Sequence, residues 1–242
     1  MWPMENESVN PQMRDRRDPT LASKIAAKLR LAVIRGDLAP GERLQLAKLR
    51  QTFDVSLSPL REALSRLGSE GFLIIEDQRG YRVPPVSETH LAEVVQLRRD
   101  FEIYALREAI AKRNLDWETA VTAALYRLQR TNRSDPDETD IWEERHREFH
   151  LTLLAACEMP LLLNMCGSLH DHFDRYRRVF LARSPEARVP TEHQRIAEAA
   201  LAGRTDEACE LLRQHIEWAG NKARMAVKRK AETPRNAPET QY

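Results

Sequence analysis

Histidines give this chain its clearest indication of chemistry. His146 and His150 lie four positions apart in the stretch ERHREFH, so on a helix they share one face, one turn apart. Two imidazole nitrogens in that arrangement can coordinate one metal ion, although an HxxxH pair is more often a coincidence of a helix surface. His193 and His215 lie in two later segments of helical pattern, and antiparallel pairing of those helices would bring both rings to one depth. The spacing is therefore compatible with a metal site made by these four histidines.

Catalysis at such a site would need an acid or base beside the metal. In an H-E-x-x-H motif the glutamate that follows the first histidine has this role, whereas Arg147 holds that position here. Glu148 is expected to point away from the helix face that carries His146 and His150. The pattern therefore favours a site that senses a ligand over one that turns over a substrate.

Helices must position these histidines. Periodic apolar residues interrupted by turn residues predict six helices after residue 86, which would pack as an antiparallel bundle. The predicted helices are Glu88–Arg113, Trp117–Thr131, Asp137–Cys157, Leu161–Ala182, Glu192–Ala202 and Asp206–Val227. Pro84 and Pro85 cannot lie inside a helix, so they mark the end of an earlier domain. His170 and His172, two apart on one helix, point in different directions and are expected to be hydrogen-bonded or solvated, with contact to the ligand as the alternative for either.

The earlier domain has the pattern of a winged helix-turn-helix. A helix over Gln45–Phe53 stops at a short turn, and a second helix follows, with Ser58 as its cap and Pro59 as its first residue. Two short strands, Phe72–Ile75 and Tyr81–Val83, read as a β-hairpin. Such a module places its second helix in the DNA major groove and lets the hairpin reach the flanking backbone.

The second helix of that module has two different faces. Its apolar residues recur at helical spacing and are expected to form a small core: Leu60, Ala63, Leu64 and Leu67. Ser58, Arg61 and Ser65 are left facing outward, and an outward arginine near a helix start suits a DNA groove. The alternative for Arg61 is an ion pair with Glu62 or Asp54 on an ordinary solvated helix.

The runs PGERL, VSLSPLREALSRL, EGFL and RGYRV closely resemble the DNA-binding domain of the GntR family of bacterial transcription regulators. Members of that family typically have an arginine where this chain has Leu57 and a threonine where it has Ser58, so the resemblance does not carry the usual operator sequence over. It does imply DNA-facing roles for Ser56, Ser58, Arg61 and Gly80. Arg50 and Arg79 are added to these on charge alone.

The histidines of the second domain extend the resemblance. His150, His193 and His215 look like the three histidines of the FCD ligand-binding domain of the FadR subfamily, where a D-x-x-F-H pattern often supplies an aspartate as a fourth ligand. This chain has His146 in the place of that aspartate. Four imidazoles carry less negative charge than three imidazoles and a carboxylate, which shifts the preference toward borderline ions such as zinc or nickel.

The resemblance also implies a small organic acid as effector, bound through its carboxylate by the metal and clamped by arginine. Arg98 matches the R-x-x-x-E pattern of the family, and Arg177 projects from another helix. A guanidinium presents two parallel donors that match a carboxylate. An ion pair between Arg98 and Glu102, four residues apart, is an equally good interpretation of the first arginine.

Composition sets the remaining limits. The chain of 242 residues is 42% hydrophobic and 31% charged, as expected for a globular protein of one large or two modest domains. Its net charge is only +1, yet residues 20–86 carry 11 Lys and Arg against 7 Asp and Glu, which places positive charge in the proposed DNA-binding domain. The three cysteines, Cys157, Cys166 and Cys209, are expected to be reduced core thiols.

The chain ends and the cellular compartment complete the expectations. No apolar run is long enough to cross a bilayer, and the charged N-terminus does not resemble a signal peptide, so a cytoplasmic protein with no membrane partner is expected. Residues 1–19 are interpreted as a flexible arm and residues 228–242 as a flexible tail. Residues 20–86 are the predicted winged helix-turn-helix domain, and residues 87–227 the predicted effector-binding and dimerisation domain.

These features together predict a mainly α protein with an N-terminal winged helix-turn-helix domain and a C-terminal antiparallel helical bundle similar to FCD domains. The expected function is a transcription regulator, a repressor, whose affinity for DNA responds to a small carboxylate at a metal site. A homodimer reading an inverted-repeat operator is expected, because one winged helix contacts only a few base pairs. The alternatives are a direct metal-ion sensor and a helical metalloenzyme with an accessory DNA-binding module.

Overall fold

The computed structural model describes residues 19–76, 79–132, 135, 137–181 and 189–232. Almost all of the predicted N-terminal arm and residues 233–242 of the predicted tail lie outside that part of the chain. The described elements, in order, are α1 (Leu21–Arg35), β1 (Arg43–Leu44), α2 (Leu46–Phe53), α3 (Leu57–Ser69), β2 (Ile74–Glu76), β3 (Gly80–Arg82), α4 (Glu88–Ala111), α5 (Leu115–Gln129), α6 (Thr139–Leu154), α7 (Pro160–Leu181), α8 (Val189–Leu201) and α9 (Thr205–Glu232).

The first domain is a winged helix-turn-helix, as predicted. Helices α1, α2 and α3 pack on a three-stranded antiparallel sheet of order β1-β3-β2. Sequence analysis predicted no strand at β1, where Arg43 and Leu44 pair with Arg82 and Tyr81 of β3. The residues predicted to form the core of α3 are fully buried: Leu60, Ala63, Leu64 and Leu67. This apolar face is what fixes α3 against α1.

Two predicted boundaries in this domain are wrong. Helix α3 begins at Leu57, so Ser56 and not Ser58 is at the N-cap position, and Pro59 falls at the third helical residue. A proline is still tolerated there, because N–H groups of the first turn have no partner within the helix. The hairpin strand begins at Ile74, since Phe72 and Leu73 turn into the core instead of continuing the strand.

The second domain is the predicted bundle, formed by α4 to α9. Helix α8 begins at Val189, three residues before the predicted start, with Pro190 in its first turn, where proline fits. Helix α9 continues to Glu232, so residues 228–232 are helical and not part of a tail. Predicted helix 137–157 ends earlier, at Leu154, and a short 3-10 turn covers Ala155–Cys157.

The bundle core surrounds the histidine segment of α6. Phe149, Leu153 and Leu154 of α6 are buried in one cluster with apolar residues of α4, α5, α8 and α9. A smaller cluster joins α4, α7 and α9 around Tyr176. None of the described helices combines the length and apolar character needed to cross a membrane.

Candidate metal centre and DNA-binding surface

Four histidine rings from three helices converge inside the bundle. Helix α6 supplies His146 and His150, α8 supplies His193 and α9 supplies His215, and one ligand nitrogen of each lies within 4.8 Å of the others. Between 94% and 99% of each side chain is removed from solvent, with exposures of 6%, 1%, 1% and 6% in that order. The antiparallel packing of α8 on α9 is what brings His193 next to His215, with ring centroids 4.7 Å apart. The predicted convergence of these four residues is therefore present.

Distances between ring nitrogens fit a single ion. The Nε2 atom of His150 lies 3.2 Å from Nε2 of His146 and 3.3 Å from Nε2 of His193. Two nitrogens bound to zinc at its usual bond length, at a tetrahedral angle, are separated by about 3.3 Å. The donor set is also suitable, because four buried imidazoles face one point and imidazole nitrogen is a common zinc ligand.

Burial keeps the rings of His146 and His150 neutral. Desolvation, followed by the charge of Arg177, holds the pKa of His146 well below its usual range. Desolvation, followed by the neighbouring His193 and His215, does the same to the pKa of His150. A metal ion binds only the neutral imidazole, so these surroundings favour coordination at neutral pH.

Glu192 supports one ligand from behind. Its Oε2 atom lies 3.0 Å from Nδ1 of His215, which leaves Nε2 of that ring for coordination. A carboxylate on the far nitrogen orients a ligand histidine and makes it more basic. Sequence analysis did not identify Glu192, although its position directly before His193 is a signal that could have drawn attention to it.

Arg98 and Arg177, the predicted effector contacts, both lie buried next to the histidines. Arg98 donates to Glu102 with Nε–Oε1 at 2.6 Å, and its guanidinium lies 4.8 Å from the ring centroid of Phe173. The ion pair considered as the alternative for Arg98 is therefore formed. Arg177 pairs with both Glu143 and Asp174, two acids that sequence analysis did not connect with the site. Whether either arginine also binds an effector stays a prediction.

His170 and His172 have different surroundings. His172 donates a hydrogen bond from Nε2 to the carbonyl oxygen of Glu70, 2.9 Å away, as expected of a hydrogen-bonded residue. His170 is only 1% exposed, and neither of its ring nitrogens has a hydrogen-bond partner among the described residues. The expectation that His170 would be solvated or hydrogen-bonded is therefore wrong.

The residues predicted to face DNA lie on one side of the first domain. Ser56, Ser58 and Arg61 are exposed at the N-terminal end of α3, and Arg50 is exposed near the end of α2. Within the described part of the chain Arg61 has no ion-pair partner, and Glu62 pairs instead with Arg66. An unpaired arginine near the start of this helix is the arrangement that base or phosphate contact requires.

The wing provides the other predicted contacts. Arg79 is exposed in the hairpin turn, and Gly80 has a φ of +90°, a conformation that favours glycine. Arg82 is less available, because it donates to Glu76 at 2.7 Å and to the carbonyl of Gly41. Arg79 is therefore exposed on the wing, whereas Arg82 stabilises the sheet.

Comparison with known proteins identifies both domains. Residues 21–83 match the model described as bacterial regulatory proteins, gntR family, and residues 93–217 match the FCD domain. The HTH-type transcriptional repressor GlaR of Escherichia coli K12 is 35% identical over 191 residues, which cover 76% of this chain and 87% of that protein. The regulator McbR of the same organism is 28% identical over 188 residues, 75% of this chain and 84% of McbR.

Solved structures share the fold. The structure of E. coli McbR/YncC matches with a TM-score of 0.72 at 21% identity, covering 88% of this chain and 99% of that one. A putative GntR regulator from Rhodococcus sp. RHA1 matches with a TM-score of 0.69 at 23% identity, covering 85% and 98%. These relatives are regulators and not enzymes, as the sequence predicted. The chain thus belongs to the GntR family, as a DNA-binding transcription regulator with an FCD domain.

Proposed function

We propose that this regulator is a homodimeric repressor whose operator affinity is set by a small organic acid bound at a metal ion in the FCD domain. The observation that carries the proposal is the convergence of four buried histidines beside two buried arginines, in the same chain as an exposed DNA-reading helix. His146, His150, His193 and His215 would hold the ion, and zinc or nickel suits a donor set made only of nitrogen.

Bound there, the ion would supply a Lewis-acidic position for a carboxylate oxygen. Arg98 and Arg177 give the pocket wall two delocalised cations that match such an anion. Glu148, which lies between His146 and His150 in the sequence, pairs with Arg127 at 2.6 Å on the outer side of α6. This arrangement supports ligand sensing over hydrolysis, since no described carboxylate of α6 takes the place that the glutamate has in H-E-x-x-H sites.

Helix α7 connects the pocket with the DNA-binding domain. On one side it carries Arg177 and Asp174, which pair beside His146. On the other side the ring of His172 stacks on Phe72 with centroids 4.3 Å apart, and Arg175 donates to the carbonyl of Pro84. A ligand alters DNA affinity only if it binds two arrangements of the protein with unequal affinity. Helix α7 is the element through which a ligand at the histidine cluster would change the position of the DNA-binding domain.

Dimerisation is proposed on the logic of DNA recognition. A single α3 spans only a few base pairs, whereas two copies related by a twofold axis would read half-sites about one helical turn apart. Electrophoretic mobility shift with DNA from upstream of its own gene should show a complex that weakens with salt, with a log-log slope of roughly 0.9 per phosphate contacted.

Arg61→Ala tests the DNA-reading surface. The variant should lose sequence-specific binding while retaining its fold, because Arg61 is exposed and unpaired among the described residues. Arg127→Ala, which removes an exposed arginine of the other domain, is the matched control and should bind the operator normally. Undiminished binding by Arg61→Ala would contradict the assignment of α3 as the reader.

The metal site is tested by elemental analysis of the purified protein. The native chain should carry about one ion per protomer and His150→Ala should carry none, because His150 lies at the centre of the cluster. A direct metal-ion sensor, the remaining alternative, would change operator affinity with the ion alone. The proposed regulator would require the ion together with a carboxylate.

A further inference from the structure

His170 lies next to the histidine cluster but is not one of the four proposed metal ligands. It lies on α7, its ring centroid is 5.5 Å from that of His146 and 5.4 Å from that of His150, and 99% of it is removed from solvent. Its Nδ1 atom is 3.7 Å from Oδ1 of Asp174, which is beyond hydrogen-bond distance. Buried polar groups are almost always hydrogen-bonded in native proteins, so an unpartnered imidazole here indicates a missing partner.

The surroundings of His170 indicate what kind of partner is missing. Burial, followed by the charges of Arg98 and then Arg177, holds the pKa of His170 well below its usual range. The charges of Arg98 and Arg177, which are both buried beside the histidine cluster, act on His170, whose ring offers an N–H donor. An N–H donor this close to His146 and His150 suits an anionic oxygen of a ligand bound at the histidine cluster.

We propose that His170 is a direct contact of the effector, hydrogen-bonding an oxygen of the carboxylate that the histidine-bound ion coordinates. The inference rests on the proposed metal-dependent function and adds a residue to it. A carboxylate has two oxygens, so one can coordinate the ion while the other accepts the N–H of His170. Asp174, near Nδ1 of the same ring, is held by its ion pair with Arg177.

The test uses the full chain loaded with Co²⁺, whose visible spectrum reports its coordination, and acetate as the probe. His170→Phe should retain a full complement of Co²⁺ and bind acetate about tenfold or more weakly, as expected for the loss of a hydrogen bond to a charged group. His170→Gln, which keeps a donor, should recover part of the affinity. His172→Phe is the matched control, because it makes the same change two residues away on the face that contacts Phe72, and it should bind acetate normally.

Wild-type acetate affinity in His170→Phe would overturn the proposal, and so would loss of Co²⁺ from that variant, which would make His170 a metal ligand. A wild-type chain that takes up no Co²⁺ would refute the metal site and this inference with it, whereas failure at His170 alone leaves the metal site standing. If His170→Phe does not fold, ring ¹⁵N signals of the Zn²⁺-loaded wild type decide: the His170 resonances should move when acetate is added, and unmoved resonances would contradict the contact.

Discussion

At the scale of single residues, the orientation of a ligand ring at the metal centre depends on the residue that is hydrogen-bonded to its other nitrogen. Glu192 holds Nδ1 of His215, so the ring can present only its other nitrogen to the centre of the cluster. Glu192→Gln should weaken metal affinity by about 10- to 100-fold without unfolding the chain, since outer partners of ligand histidines typically contribute that much. Competition with a chromophoric chelator measures the metal affinity. Glu198→Gln, on the exposed side of the same helix, is the control, and equal affinity of the two variants would contradict the role given to Glu192.

A second residue-scale prediction concerns the cysteines. All three are free and buried, as the sequence predicted, and burial raises the pKa of the Cys166 thiol to about 12. Only the thiolate is nucleophilic, so Cys166 should not react with a disulfide reagent at neutral pH while the protein is folded. A colorimetric thiol assay should count three reactive groups in denaturant. Rapid labelling of Cys166 in the native protein would contradict its position in the core.

At the scale of elements, α3 shows how one helix serves two purposes. Leu64 is fully buried against the core of the reader, and the neighbouring Ser65 is exposed. Leu64→Ala should lower the free energy of unfolding of this domain by about 2–5 kcal/mol, because truncation leaves a cavity. Ser65→Ala should change stability little. Denaturant titration separates the two, and a Leu64→Ala variant as stable as the wild type would mean that α3 is not packed as described.

Helix α7 is the element that should carry coupling. His172 and Arg175 are hydrogen-bonded to the backbone carbonyls of Glu70 and Pro84 in the DNA-binding domain. The double variant His172→Ala, Arg175→Met should therefore remove the coupling between the two domains. Metal content and acetate binding should be unchanged, while the ratio of operator affinities with and without a carboxylate effector should fall toward one. Fluorescence anisotropy of labelled operator DNA gives that ratio. An unaltered ratio would show that coupling runs through another element.

At the scale of the whole molecule, an ion at the histidine cluster should tie the bundle together. The ligands come from α6, α8 and α9, so the ion stabilises the folded chain relative to the unfolded one. At a metal concentration 100 times the dissociation constant this stabilisation is about 2.7 kcal/mol. Removal of the ion with a chelator should therefore lower the melting temperature, and added Zn²⁺ should restore it. In His150→Ala the chelator should have no effect, and equal shifts in both proteins would refute the site.

The sequence by itself determined the two domains, the buried face of α3 and the identity of the four converging histidines. These follow from local rules: helical periodicity, turn residues and the i, i+4 spacing of His146 and His150 are properties of neighbouring positions. The resemblance of the motifs to GntR regulators added the pairing of His193 with His215, which spacing alone left open.

Only the tertiary structure decided what lies around those residues. Strand β1 exists because β3, almost forty residues later, offers it backbone partners, and no local pattern in Arg43–Leu44 announces it. Glu192 and Glu143 gain their roles from helices that meet in space. His170 is a polar residue at an ordinary helix position whose burial and lack of a partner arise from the packing of α7 against the histidine cluster. Side-chain partners between distant segments depend on how helices pack, and that information is not local to any stretch of the chain.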